Sequence, residues 1–163
     1  MITEIKGNLL EAKTEALINA VNCVGVMGKG IALQFRREFS EDYFNDYKLA
    51  CQSGELAIGK VCIYSLSFDS ALAHAQASAS VVPRFIVNFP TKNHWRGKSR
   101  IEDIESGLQS LVESIGRYEI KSIAIPALGC GLGGLDYEEV KLLTEKSFVD
   151  LPNVEVLFFV PKG

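Results

Sequence analysis

The chain has 163 residues, a formal net charge of −3, 47% hydrophobic residues and 23% charged ones. This suits one globular domain with a proper core and excludes the disordered and fibrous classes. No apolar run approaches the roughly 20 residues that span a bilayer. Met1-Ile2-Thr3-Glu4 carries no basic-then-apolar signal region, so a cytosolic location is the expectation. A net negative charge disfavours global attraction to nucleic acid and leaves only local basic strips to consider. Cys23, Cys51, Cys62 and Cys130 form no CxxC pair and have no His cluster nearby. No metal site or disulfide framework is expected, only small buried or loop thiols.

In chain order, Thr3–Lys6 reads as a first strand, and the apolar run Ala16–Val21 as a buried one. Gly30–Phe39 reads as a helix. Ser40, followed by Glu41 and Asp42, caps a second helix that runs to about Cys51, before Gly54. Lys60–Leu66 is a strand, and Ser65–Val82 is an Ala/Ser-rich excursion whose His74 reads as a surface residue. Arg84–Phe89 is the next strand. Ile101, Ile104, Leu108, Leu111 and Ile115 recur at helical spacing, predicting a helix over Ile101–Ser114 capped by Ser99. Ser122–Pro126 is a strand, Asp136 caps a helix over Tyr137–Val149, and Val154–Val160 is a strand covered on both faces. Strands alternating with helices predict an α/β sheet with helices on both faces, whose ligands sit beyond the carboxyl ends of the strands.

Three unusual segments fall at those ends. The first is Asn19-Ala20-Val21-Asn22 running through Gly25, Gly28, Lys29 and Gly30 to Ile31. Glycines let the backbone approach a ligand, and a helix N-terminus offers N–H groups to an anion. A plain glycine-bearing turn is the rival reading. The spacing matches neither the P-loop nor the GxGxxG fingerprint. The second is Leu128-Gly129-Cys130-Gly131-Leu132-Gly133-Gly134-Leu135, between a strand and a helix. So many glycines suit an anion-binding concavity better than a flexible connection. The third is Thr91-Lys92-Asn93-His94-Trp95-Arg96, continuing to Lys98 and Arg100. Cations interleaved with the single tryptophan suit a phosphate backbone and a stacked base. By composition alone, a solvated turn with Trp95 packed on a neighbouring helix fits slightly better.

Together with Lys6-Gly7-Asn8-Leu9, these segments resemble the macrodomain family over essentially the whole chain. Asn88-Phe89-Pro90-Thr91-Lys92 with His94-Trp95-Arg96 is similar to its DarG-like antitoxin branch. The resemblance implies a three-layer α/β/α fold around a central mixed sheet, with residues 1–163 as a single macrodomain. Pro161-Lys162-Gly163 directly follows the last strand, as in one domain cut from a longer protein. It implies removal of ADP-ribose from a thymine base in single-stranded DNA, opposite a cognate ADP-ribosyltransferase toxin. ADP-ribose is then substrate moiety or product, and no cofactor or metal is needed.

By the same resemblance, Lys92 and Asn22 carry catalysis, Asn22 beside the distal ribose. Asn8 and Leu9, Gly28 to Ile31, Thr91, Leu128 to Leu135 and Phe159 bind ADP-ribose. His94, Trp95 and Arg96 contact DNA. A lysine amine can attack the anomeric carbon of an opened ribose or polarise the departing group. Two departures matter. Asn8 stands where many macrodomains have Asp, though an amide oxygen still accepts a hydrogen bond from adenine. Gly133 stands where relatives acting on glutamate esters carry an acid, which turns the expected chemistry toward DNA. Hydrolysis of modified protein or of small ADP-ribose derivatives, and binding without turnover, remain the rival functions.

Overall fold

A computed structural model describes residues 2–67 and 83–161. Most of the Ser65–Val82 excursion, His74 included, lies outside the described residues. The chain runs β1 (Ile2–Ile5), a 3-10 turn (Leu9–Glu11), β2 (Ala16–Val21), α1 (Gly30–Glu38) and α2 (Glu41–Ser53). It continues through β3 (Cys62–Ser65), β4 (Phe85–Pro90), α3 (Ile101–Arg117), β5 (Ser122–Pro126), α4 (Tyr137–Ser147) and β6 (Glu155–Phe159). The sheet order is β1-β6-β5-β2-β4-β3. The first five strands are parallel, and β3 runs antiparallel to β4 at the edge. This is the expected mixed sheet.

Alternation along β2 divides the core. Ala16 and Ile18 face one side, where Ile104, Leu108, Leu111 and Ile115 of α3 and Val140 of α4 cover the sheet. Leu17 and Val21 face the other, against Phe35 of α1 and Tyr43, Phe44 and Tyr47 of α2. Gly107, inside α3, is where helix and sheet meet most closely. A Cβ there would lie 2.4 Å from Cζ of Phe89 on β4. The poor helix propensity of glycine is accepted because no larger residue fits.

Ser40 and Asp136 cap their helices as expected, their side chains accepting from the N–H groups of Tyr43 and Glu139. Ser99 does not. Arg100 takes the cap position of α3 without a side-chain bond, and the Ser99 hydroxyl is buried with no partner. Its N–H donates instead to Gly133 O at 3.1 Å, which draws the side chain in against the loop after β5. The long-range contact overrides the local capping signal. α3 also runs on to Arg117. α4 stops at Ser147, where Phe148 turns into the core.

Candidate functional site

Because β2, β4 and β5 are parallel, the segments that follow them emerge at one edge of the sheet. All three unusual stretches therefore meet there, as an open parallel sheet requires.

The first loop is organised by Asn22, which is 7% exposed. Its Nδ2 donates to Val26 O at 2.8 Å. Its Oδ1 accepts from the N–H groups of Val24 at 3.0 Å and Val26 at 3.5 Å, and from the Tyr47 hydroxyl at 2.8 Å. The same hydroxyl reaches Asn22 O at 2.9 Å. Gly25, in the middle of the loop, adopts φ +80, a conformation that L side chains rarely hold. α1 then opens at Gly30, after Lys29, with no side chain capping its first N–H groups. Those groups are free to face an anion.

The second loop is built from tight backbone turns. Cys130 N–H donates to Ala127 O at 3.1 Å, Gly134 N–H to Gly131 O at 3.2 Å and Leu135 N–H to Gly129 O at 2.9 Å. Among the described residues, the N–H groups of Gly131, Leu132 and Gly133 have no acceptor. Three successive unpaired donors are an arrangement that can bind an anion. Gly133 is buried. A Cβ there would meet Ser99 Oγ at 2.3 Å and Gly129 O at 2.6 Å. The direction in which an acidic side chain would leave position 133 is thus filled by protein. Leu132, 65% exposed, reaches back across the cleft. Its Cδ1 lies 4.0 Å from where a Cβ on Gly30 would sit, so the two loops adjoin.

The basic strip ties the loops together. Thr91 N–H donates to Val21 O at 2.9 Å, and Cys23 N–H donates to Asn93 O at 2.9 Å. Pairing of β2 with β4 thus extends past both strand ends, up to the half-buried Lys92. At its far end the strip meets the second loop through Ser99 N–H and Gly133 O. Between these anchors the chain makes an exposed turn. The rings of His94 and Trp95 lie 4.8 Å apart, and the Arg96 guanidinium sits 4.5 Å over the Trp95 ring. Trp95 stays 42% exposed, and among the described residues its aromatic and cation–π contacts are to these two neighbours.

The remaining positions range from the exposed Asn8 to buried core side chains. Asn8 Oδ1 accepts from Leu10 N–H at 3.1 Å and caps the 3-10 turn. Leu9, Leu128 and Phe159 bury their side chains in the core. Cys130 is half-buried, and burial pushes its thiol up to about 11. Burial, and secondarily Cys51, does the same for Cys23, also to about 11. Both are neutral thiols near pH 7 and are poor nucleophiles. Among the described residues, no cluster of three or more His, Cys, Asp or Glu can hold a metal, and no helix is long and apolar enough to cross a membrane.

Three features escaped the sequence reading. Tyr47 lies 25 positions from the Asn22 amide it holds. Tyr43, one turn earlier on α2, accepts from Asn19 Nδ2 at 2.8 Å and donates to Asn88 Oδ1 at 2.6 Å, joining the centres of β2 and β4. Ser99 sits against the second loop. The only sequence signal for the first two was a pair of tyrosines at helical i, i+4 spacing, which also reads as an ordinary core stripe.

The Macro domain family profile matches residues 18–143. A Mycobacterium tuberculosis protein named DNA ADP-ribosyl glycohydrolase is 45% identical over all 163 residues, and this chain spans 43% of its length. A Thermus aquaticus protein of the same name is 46% identical over 161 residues, 99% of this chain and 41% of that one. The solved macrodomain of Mycobacterium tuberculosis DarG superposes with a TM-score of 0.87 at 44% identity, covering 99% of both chains. Thermosipho africanus DarTG, solved in complex with ADP-ribose, superposes with a TM-score of 0.87 at 35% identity, over 98% of this chain and 41% of that one. The chain thus spans less than half the length of these two curated relatives.

Proposed function

The chain belongs to the macrodomain family, and on that premise we propose that it hydrolyses ADP-ribose from a modified thymine of single-stranded DNA. It thereby acts as the antitoxin to a DNA ADP-ribosyltransferase. The glycosidic bond between the distal ribose and the base breaks, water adds at the anomeric carbon, and the products are ADP-ribose and restored DNA.

One observation supports this above the others. The basic strip is anchored to the first loop at Asn93 and to the second at Ser99. Lys92 therefore lies between the two glycine loops in the chain path of the strip, with the exposed Trp95 turn beyond it. In this reading the free N–H groups of Gly131 to Gly133 and of the α1 start bind the phosphates. Asn22 borders the distal ribose. The Lys92 amine attacks the anomeric carbon or polarises the departing base. His94, Trp95 and Arg96 stack and pair with the flanking nucleotide, whose unstacked base suits an aromatic shelf. Position 133 has no room for an acid, which leaves the lysine as the reactive group of the cleft. The names of the relatives support the DNA substrate. A Thermosipho africanus protein named as a fusion of the transferase with the glycohydrolase supports the toxin partner. Four free cysteines fit a reducing, cytoplasmic setting.

The test is release of ADP-ribose from ADP-ribosylated single-stranded DNA. Lys92→Ala is expected to lose about 100-fold or more in turnover while keeping ADP-ribose affinity in calorimetry. Undiminished turnover sinks the lysine role. Binding of ADP-ribose without release by the unaltered protein makes it a reader. Faster release from modified protein than from DNA moves the substrate class.

A further inference from the structure

The Asn22 amide has two faces of opposite hydrogen-bonding character, and only one can meet a ligand. The structure assigns Tyr47 as a positioning residue: its buried hydroxyl holds the Asn22 amide in the oxygen-inward orientation that the loop backbone selects, so that Asn22 meets the ligand only as an N–H donor. This rests on the reading that Asn22 borders the distal ribose.

The partners decide the orientation. Oδ1 faces three donors: the Tyr47 hydroxyl at 2.8 Å, Val24 N–H at 3.0 Å and Val26 N–H at 3.5 Å. Nδ2 faces an acceptor, Val26 O, at 2.8 Å. Reversing the amide sets an NH2 against the two loop N–H donors and an oxygen against a carbonyl. With the oxygen occupied, the second hydrogen of Nδ2 is the one polar group that Asn22 has left. It can donate to a ribose hydroxyl or ring oxygen. It cannot accept a proton, so Asn22 is not the general base.

Tyr47 makes the shortest of the three bonds to Oδ1. Its ring is fully buried, and burial pushes the phenol well above its usual range, so it stays a donor. The Cys51 thiol adjoins the same hydroxyl. The hydroxyl also reaches Asn22 O at 2.9 Å, so one group fixes both the backbone and the side chain of Asn22. Tyr43 is a matched comparison on the same helix. It is equally buried, but its hydroxyl bonds Asn19 and Asn88 and does not touch Asn22.

The experiment is a double-mutant cycle on ADP-ribosylated single-stranded DNA, with kcat, KM, ADP-ribose affinity and Tm measured for each variant. Tyr47→Phe is expected to lower kcat about tenfold, Asn22→Ala at least as much, and the double variant no further than Asn22→Ala alone. Tyr43→Phe is expected to lower Tm comparably while leaving kcat within about twofold. If Tyr47→Phe lowers kcat as much in the Asn22→Ala background as in the native one, or if Tyr43→Phe lowers it equally, the positioning role is overturned. If Asn22→Ala keeps native kcat and affinity, the reading of Asn22 at the ribose fails instead. Asn22→Asp carries the test should Tyr47→Phe not fold. It replaces the outward donor by an acceptor and must cost at least as much kcat as Asn22→Ala. Native activity in it overturns the donor assignment.

Discussion

The two glycine loops serve one cleft but are held by opposite means. The loop after β2 is supported from below by side chains: Asn22 bonds its backbone twice over, and Tyr47 fixes Asn22 from α2. Its glycines are loosely surrounded. A Cβ on Gly28 would meet only Val26 Cγ1 at 3.6 Å. The loop after β5 has no such polar support. It closes on its own backbone and packs around Ser99 so tightly that Gly133 has no space for a methyl group. A loop held by side chains leaves room beside a glycine such as Gly28 and fails when a polar contact is cut. A loop held by close packing does the reverse.

Substitutions sharpen or break that contrast. The largest effect is expected from Gly133→Ala, because one of the atoms in the way is the backbone oxygen of Gly129 and cannot swing aside. We expect about 3 kcal/mol of destabilisation, read in urea unfolding, together with lost ADP-ribose binding in calorimetry. Native affinity there would show that the second loop is not packed as described. Next is Asn22→Ala, which strands two loop N–H groups and leaves the Tyr47 hydroxyl only the backbone oxygen of residue 22. About 2 kcal/mol is expected in the same unfolding measurement, with a midpoint shift at unchanged slope. Gly28→Ala, in the first loop, is expected to stay within about 0.5 kcal/mol. A loss as large as that of Gly133→Ala would erase the difference between the loops. Smallest is Ser99→Ala. The hydroxyl it removes is buried without a partner, so Tm should hold or rise slightly. A clear fall in Tm would mean that the hydroxyl has a partner after all.

How far the sequence reached follows from the range of each signal. Short continuous apolar runs set Ala16–Val21 and Ser122–Pro126 to the residue. Ser40 and Asp136 announced their helices because a cap acts within three residues. Ser99 offered the same local signal and was misleading. Its amide is bound to Gly133, 34 positions away, and no pattern within the segment records that. The core residues of α3 were legible, but Gly107 was not singled out, since the ring of Phe89 that demands it lies on another element. In the site, the glycine segments and the Lys92 strip stood out by composition. Their mutual arrangement depends on bonds such as Cys23 to Asn93 and Ser99 to Gly133, each spanning dozens of residues.

By itself, then, the sequence determined the alternating elements, the glycine-rich stretches at strand ends and the family resemblance. All of these are written in short-range pattern and residue type. Only the tertiary structure decided that β2 lies between β4 and β5, that the basic strip bridges both loops, and that Ser99 fills the direction in which an acid at position 133 would point. It also decided which face of the Asn22 amide turns toward the cleft. These are outcomes of packing and hydrogen bonding between distant segments, where each group settles on the partner that chain closure brings to it.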